Sequence, residues 1–265
     1  MTDPLTRAER ILRAAAGDRV RTAFPLAPLT SFRLGGPAAL YLEPESDSDL
    51  SAAGEAIVAT DVPFIVIGKG SNILVSDSGF PGLVLRLGRG YRWVAREGTI
   101  LTAGGSIPLP ALAGVALRHG LAGLEFGVAI PATLGGAVRM NAGAHGGTMS
   151  QVLDRIATYR LRDGRAETVR GQDAGFAYRR SALAADAVVT GAVVRLEAAD
   201  ADEIRARMDE AREWRRRTQP LAEPGARASD VLALIRDVQR LVEDSAGITL
   251  EPEVKLIGAF DDARR

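Results

Sequence analysis

Three features of the 265-residue chain predict an α+β fold. Short apolar runs alternate with amphipathic stretches in the order strand, helix, strand, glycine turn, strand, which suits a mixed fold and not a sandwich. The run Pro63-Phe-Ile-Val-Ile is apolar at every residue, as a strand buried on both faces would be, and is cut at once by Gly68. Gly120 to Gly147 sets eight glycines in an otherwise apolar segment, too many for an ordinary helix or strand. Such density is tolerated where positive φ is needed or where a ligand lies against main-chain N–H groups. A set of tight turns is the alternative.

Leu5 to Ala16, the first element, is predicted to be a helix, with Thr6 as N-cap and Glu9 three residues on. A turn at Gly35 to Pro37 leads into a strand ending near Pro44. Asp47 to Ala59 is a helix with apolar positions at Leu50, Ala53, Ile57 and Val58, and Leu83 to Leu87 is a strand. Further strands are expected at Thr99 to Ala103 and Ala187 to Leu196, with a helix from Pro108 to His119 ended by Gly120. Val152 to Leu161 and Ala166 to Val169 flank Asp163-Gly164, a hairpin signal. Helices are expected at Asp202 to Arg217 and at Ser229 to Asp244. The second takes Ser229 as N-cap and Val231, Leu234, Ile235, Val238 and Leu241 as its apolar face.

Composition narrows the function classes. The chain is 46% hydrophobic and 25% charged, enough for a substantial core, and its 33 basic residues balance 33 acidic ones. No global field therefore points to nucleic acid or to an anionic membrane. The absence of cysteine excludes disulfides, thiolate metal sites and a cysteine nucleophile, and two histidines cannot assemble a histidine-rich metal centre. His119 and His145 read as structural or surface groups. No signal peptide or membrane span is apparent, so a cytoplasmic protein is expected, of unknown oligomeric state.

The first chemical signal is GKGSNILVSD at Gly68 to Asp77. A glycine turn directly after a buried strand offers successive backbone N–H groups to an anion, and Ser71 and Asn72 can add side-chain hydrogen bonds to phosphate oxygens. It is neither a Walker sequence nor a dinucleotide G-x-G-x-x-G opening a helix. Alone, it is equally a plain structural turn.

A set of motifs is more specific. TSFRLGG at Thr30 to Gly36, the turn at Gly68, GLEF at Gly123 to Phe126, IPATLGGAVRMNAGA at Ile130 to Ala144, FAYRRS at Phe176 to Ser181 and LEPEVKLIG at Leu250 to Gly258 occur in one order. In this the chain resembles the UDP-N-acetylenolpyruvoylglucosamine reductase family, from about Thr22 to Gly258. The resemblance implies a two-lobed FAD-binding fold of the vanillyl-alcohol-oxidase (PCMH) type. It also implies NADPH as reductant and UDP-N-acetylglucosamine enolpyruvate as substrate, reduced to UDP-N-acetylmuramate for peptidoglycan. By position, it assigns FAD binding to Gly68, Gly70, Ser71 and Asn72, and to Ile130, Pro131, Thr133, Gly135, Gly136, Asn141, Ala142 and Gly143. Arg179 is implied to polarise the substrate carboxylate, Glu253 to deliver or organise a proton, and Tyr178 to contact substrate. Without the motifs, Arg179 and Glu253 would read as solvated charges, Glu125 as a surface or capping carboxylate and Tyr178 as a packing residue.

Two departures stand against the resemblance. After RRTQPLAEP at Arg216 to Pro224 the family enters a substrate domain bearing a proton-donating serine, whereas here Gly225-Ala-Arg leads straight to the helix after Ala228. The alternative to a reductase is thus a flavin-binding protein impaired in catalysis, or a deletion introduced when the gene was read. Second, Ala132 stands where the family has glycine, which disfavours positive φ. The expected organisation is a first FAD lobe at 19–90, a second at 91–201 rejoined by 250–265, and a remnant of the substrate domain at 202–249.

Overall fold

The computed structural model describes residues 3–218 and 226–260. The first lobe opens with α1 (Pro4–Ala16), capped by Asp3, whose carboxylate accepts from the Thr6 amide at 3.2 Å. The cap lies three residues before the expected Thr6 because Pro4, which has no N–H to satisfy, suits the first helical turn. After β1 (Arg21–Pro25) and β2 (Pro37–Leu42) come α2 (Asp47–Thr60), β3 (Phe64–Val66), β4 (Ile73–Val75) and β5 (Phe80–Leu85). The sheet order is β1-β2-β5-β3, with β1 antiparallel to β2 and the other pairs parallel. Helices α1 and α2 bury Leu12, Leu50 and Ile57 against Leu40, Leu83 and Leu85. The apolar strand at residues 64–66 is not buried on both faces as its sequence suggests. It is the sheet's edge and borders a cavity, which leaves Val66 40% exposed.

The second lobe begins with β6 (Val94–Glu97), β7 (Ile100–Gly104), α3 (Leu109–Arg118) and β8 (Leu121–Ala122). It continues with α4 (Leu134–Arg139), β9 (Gly143–Ala144), β10 (Gly147–Thr148) and α5 (Met149–Val152). Then come β11 (Leu153–Arg160), β12 (Arg165–Arg170), β13 (Ala187–Arg195), β14 (Glu197–Ala198) and α6 (Ala201–Thr218). Its five-stranded antiparallel sheet runs β12-β11-β13-β7-β6, with the Asp163-Gly164 hairpin where expected and Gly164 at φ +66°. The lobes share a core, since Tyr159, Leu161 and Val188 of the second pack among the buried residues of the first. At the seam, a β-carbon on Gly54 would lie 2.2 Å from the Leu161 carbonyl oxygen, so only glycine lets α2 approach so closely.

The C-terminal segment differs most from expectation. Helix α6 is part of the second lobe's core through Ile204, Met208 and Ala211, instead of standing apart with the following helix. Helix α7 (Ala228–Ala246) buries Ala228 and Leu232, while Leu234, Val238 and Leu241 of its predicted core face are exposed. Ser229 does not cap it. The Asp77 carboxylate does, accepting from the Ala228 and Ser229 amides at 2.9 and 3.1 Å across 151 and 152 residues of sequence. The last strand, β15 (Lys255–Ile257), pairs in parallel with β4 of the first lobe and not with the second lobe, in a separate two-stranded sheet whose ladder runs from Asn72 to Ser76. The family segment is expected to be missing around Pro224 to Ala228, and of that junction residues 224 and 225 lie outside the described residues. No helix among those described is long and apolar enough to cross a membrane.

Candidate functional site

A cavity of about 1350 Å³ lies between the lobes, walled by β3, the glycine turn at residues 68–72, the segment 129–145, and the side chains of Arg179 and Glu253. The two glycine segments meet here. A β-carbon on Gly68 would fall 2.5 Å from Thr133 Oγ1, the atom that caps α4 by accepting from the Gly136 amide at 3.2 Å. Gly70 has φ +63°, and a β-carbon on it would lie 2.1 Å from the Leu29 carbonyl oxygen, while its own carbonyl accepts from the Ser31 amide at 3.0 Å. The TSFRLGG segment thus forms the outer support of the glycine turn.

The two segments differ in the amides they offer. Those of Gly68, Lys69, Gly70 and Ser71 have no protein acceptor among the described residues. In the second segment, the Gly135 amide donates to the Gly105 carbonyl at 2.9 Å, the Gly136 amide serves the cap, and the Ala142 amide donates to the Ala137 carbonyl at 2.8 Å. The first segment therefore carries the donors suited to a pyrophosphate, and the second supplies close backbone approach and shape. Ile130, Pro131, Thr133, Gly135, Gly136, Ala142 and Gly143 all line the cavity, as do Gly68, Gly70, Ser71 and Asn72. Asn141 is not on the wall. Its amide nitrogen donates to the Ala177 carbonyl at 3.2 Å and its oxygen accepts from the Ser150 amide at 3.0 Å, so it braces the wall from behind. Ala132 is free of the strain expected of it: it is not among the positive-φ residues, and its carbonyl accepts from the Leu109 amide at 2.9 Å.

Although the whole chain is neutral, the cavity is not. Eight lysine and arginine side chains line it against two carboxylates, Asp186 and Glu253, a balance suited to ligands bearing several phosphates. Arg139, which sequence reading missed, is largely buried and donates to the carbonyls of Leu183, Ala184, Ala185 and Ala187 at 2.8 to 3.2 Å. Burial lowers its pKa, opposed by the charge of Asp186. Arg215 on α6 donates to the Ala129 carbonyl, and Trp214 beside it meets His145 edge-on with ring centroids 5.1 Å apart. Arg139 and Arg215 hold backbone from distant segments, a role that no local pattern marks.

Tyr178, Arg179 and Glu253 converge at the cavity. Residues 177–180 form a tight turn in which the Ala177 and Arg180 amides donate to each other's carbonyls at 3.0 and 3.3 Å, with Arg179 at φ +53°. That left-handed conformation is unusual for a long side chain. Arg179 Nε donates to Glu253 Oε1 at 3.1 Å and its Nη1 to the Gly143 carbonyl at 3.3 Å. The Tyr178 hydroxyl donates to the same Glu253 oxygen, although the ring is 78% exposed and lies outside the cavity wall. Burial acts to raise the Glu253 pKa, but the hydrogen bonds from Tyr178 and Arg179 outweigh it and hold the carboxyl below its ordinary value. Glu253 is an anion here at neutral pH.

Comparison with known proteins agrees with this geometry. Residues 38–171 match the FAD binding domain family, and residues 218–257 match the C-terminal domain of UDP-N-acetylenolpyruvoylglucosamine reductase. A UDP-N-acetylenolpyruvoylglucosamine reductase of Anaeromyxobacter sp. (strain Fw109-5) is 38% identical over 299 residues, covering 96% of this chain and 93% of the relative. One from Heliobacterium modesticaldum is 35% identical over 88% of this chain and 89% of its own. The first alignment is longer than the 265 residues of this chain, so the relative carries residues that have no counterpart here. The crystal structure of the reductase from Thermus caldophilus superposes with a TM-score of 0.76 at 30% identity, covering 90% of this chain and 99% of that one. The BBE-like 1 protein of Physcomitrella patens shares the fold alone, at a TM-score of 0.54 and 15% identity over 72% of this chain and 44% of its own.

Proposed function

Because the chain belongs to the UDP-N-acetylenolpyruvoylglucosamine reductase family, we propose that it reduces the enolpyruvyl group of UDP-N-acetylglucosamine enolpyruvate, with NADPH as the source of electrons. The observation that carries this reading is the convergence of Arg179 and Glu253, 3.1 Å apart, on the wall of a glycine-lined cationic cavity. The residues present fit FAD: glycine turns that a β-carbon would block, consecutive amides without protein acceptors, and a cavity long enough to reach from them to Arg179. When bound, FAD would take hydride from NADPH and pass it to one carbon of the enolpyruvyl double bond.

The chain's own residues manage the charge and the proton. Hydride addition pushes electron density into the substrate carboxylate, and a guanidinium already fixed beside it stabilises that charge without reorganisation. Arg179 is so fixed, by Gly143 on one side and Glu253 on the other. Glu253 orients the guanidinium and accepts from Tyr178, and from that place it delivers or organises the proton that the second carbon takes, with solvent as the ultimate source. The cavity's surplus of positive charge attracts the diphosphates of cofactor and substrate.

One observation supports a second reading, a flavin protein impaired in this reaction: the segment that bears the family's serine has no counterpart between Gly225 and Ala228. A single experiment separates the two. Purified protein should show flavin absorbance bands, and its oxidation of NADPH should accelerate on addition of the enolpyruvyl sugar nucleotide. Bound flavin with no response to that substrate leaves the impaired reading standing, and colourless protein that takes up no FAD ends both.

A further inference from the structure

We propose that Asn72 is the positioning residue for Glu253, seating the carboxylate on the cofactor segment so that the two move as one piece. The inference rests on the reading of the cavity as a flavin site. The resemblance assigns Asn72 to the cofactor, yet its side chain is committed elsewhere. Its side-chain Nδ2 donates to the Glu253 backbone carbonyl at 2.9 Å, and its backbone carbonyl accepts from the Lys255 amide at 2.9 Å. These bonds bracket Val254 and hold the backbone on either side of it. Among the described residues, no other side chain bonds the backbone of residues 252–254.

The geometry explains why this matters. From Asn72 onward the two segments run in register, with Lys255 beside Ile73, Leu256 beside Leu74 and Ile257 beside Val75, and the Ser76 amide donating to the Ile257 carbonyl at 2.8 Å. Immediately before Asn72 lie the amides of residues 68–71 that have no protein acceptor. Asn72 is thus the point where an anion-facing turn becomes a ladder carrying Glu253. The side chain of Glu253 is reached from the other lobe by Tyr178 and Arg179, both on Oε1. Two hydrogen bonds to one oxygen demand a fixed carboxylate, since such bonds weaken steeply with distance and angle.

The test uses Asn72→Ala and Asn72→Ser with three readouts. These are FAD affinity by flavin fluorescence, titration of Glu253 by NMR of glutamate-labelled protein (assigned with Glu253→Gln), and the kcat and KM of substrate-dependent NADPH oxidation. The expected result is FAD affinity changed by no more than about threefold and a Glu253 pKa moved up toward its ordinary value. The kcat should fall roughly tenfold to a hundredfold with little change in KM. A large loss of FAD affinity with unchanged Glu253 titration overturns the proposal and makes Asn72 a cofactor ligand, and the absence of any change overturns it by showing that Asn72 positions nothing. If the unmodified protein reduces nothing, the functional reading fails, but FAD affinity and the Glu253 titration still decide the role of Asn72. Should Asn72→Ala not fold, the serine variant, which is too short to reach Glu253, carries the same comparison.

Discussion

Gly68 faces Thr133 so closely that a β-carbon would stand 2.5 Å from the threonine hydroxyl oxygen, and this contact is where the first lobe's turn seats on the second lobe's helix cap. A methyl group there has to displace the hydroxyl from the Gly136 amide or push the lobes apart. Gly68→Ala should leave a folded protein, since the site lies at the cavity, but should weaken FAD binding by at least about tenfold, roughly 1.4 kcal/mol. Titration of purified protein with FAD, followed by flavin fluorescence, checks it; unaltered affinity would show that the contact relaxes without cost.

Arg179 holds φ +53° in the turn at residues 177–180, a conformation that glycine adopts freely. Arg179→Gly removes the strain and an ion pair that is partly exposed on both sides, 31% and 43%. These effects oppose each other, so stability should stay within about 1 kcal/mol of the unsubstituted protein. Reduction should fall by roughly a hundredfold or more, as the fixed charge is lost. A thermal melt beside a turnover assay separates fold from chemistry.

Asp77 caps α7 from the far side of the sequence, with two amides on its carboxylate. Asp77→Ala should cost about 1 kcal/mol and loosen α7. A lowered urea midpoint, with faster proteolysis between residues 228 and 250, is the expected signature, and an unchanged midpoint would show that packing and the Gln239–Leu250 bond hold α7 without this cap.

Arg139 is a partly buried cation whose charge is met by four carbonyls of residues 183–187. Arg139→Met fills similar volume but leaves those carbonyls without their donor, at a cost of about 3 kcal/mol. A lowered melting temperature is expected, with hydrogen exchange increased first in the loop at residues 183–187.

Acid should weaken the fold through two carboxylates in particular. Asp49, which is 4% exposed, takes two bonds from Arg19 at 2.6 and 2.7 Å, and these hold its pKa below the ordinary 3.8 against the opposing effect of burial. Asp186 is held low as well: burial would raise its pKa, but the hydrogen bonds from Arg160 and the Arg162 amide prevail. A depressed folded pKa means that the stabilisation is whole above the unfolded value and is lost as pH falls through the folded one. Stability should therefore be flat from neutral pH down to about pH 5 and fall steeply below about pH 4. Asp49→Asn should flatten that fall, as urea midpoints measured across pH will show.

Much of this was legible locally. The helix at residues 47–60 follows from the spacing of Leu50, Ala53 and Ile57, although Val58 of the expected apolar face is exposed; the hairpin at residues 153–170 follows from Asp163-Gly164, and the cavity-lining glycines from a density that only turns or a close ligand explain. Arg179 and Glu253 were visible only through motifs, since in isolation each resembles a solvated charge. Other features were hidden because their partners are remote. Ser229 does not cap α7 because Asp77, 152 residues away, meets the helix first. The edge exposure of Val66 depends on which strand ends the sheet, and nothing in an apolar run encodes that.

Helices, strands and glycine turns are encoded locally, for they depend on φ preferences and on periodicities within a few residues. Which amides stay free for a ligand, where the Asn72 side chain donates, and the joining of β15 to the first lobe through β4 follow from the folded arrangement and from nothing local. The reason is hydrogen-bond satisfaction. Each buried donor and acceptor must find a partner, and that partner is chosen by proximity in space, which the chain sets only once it has folded.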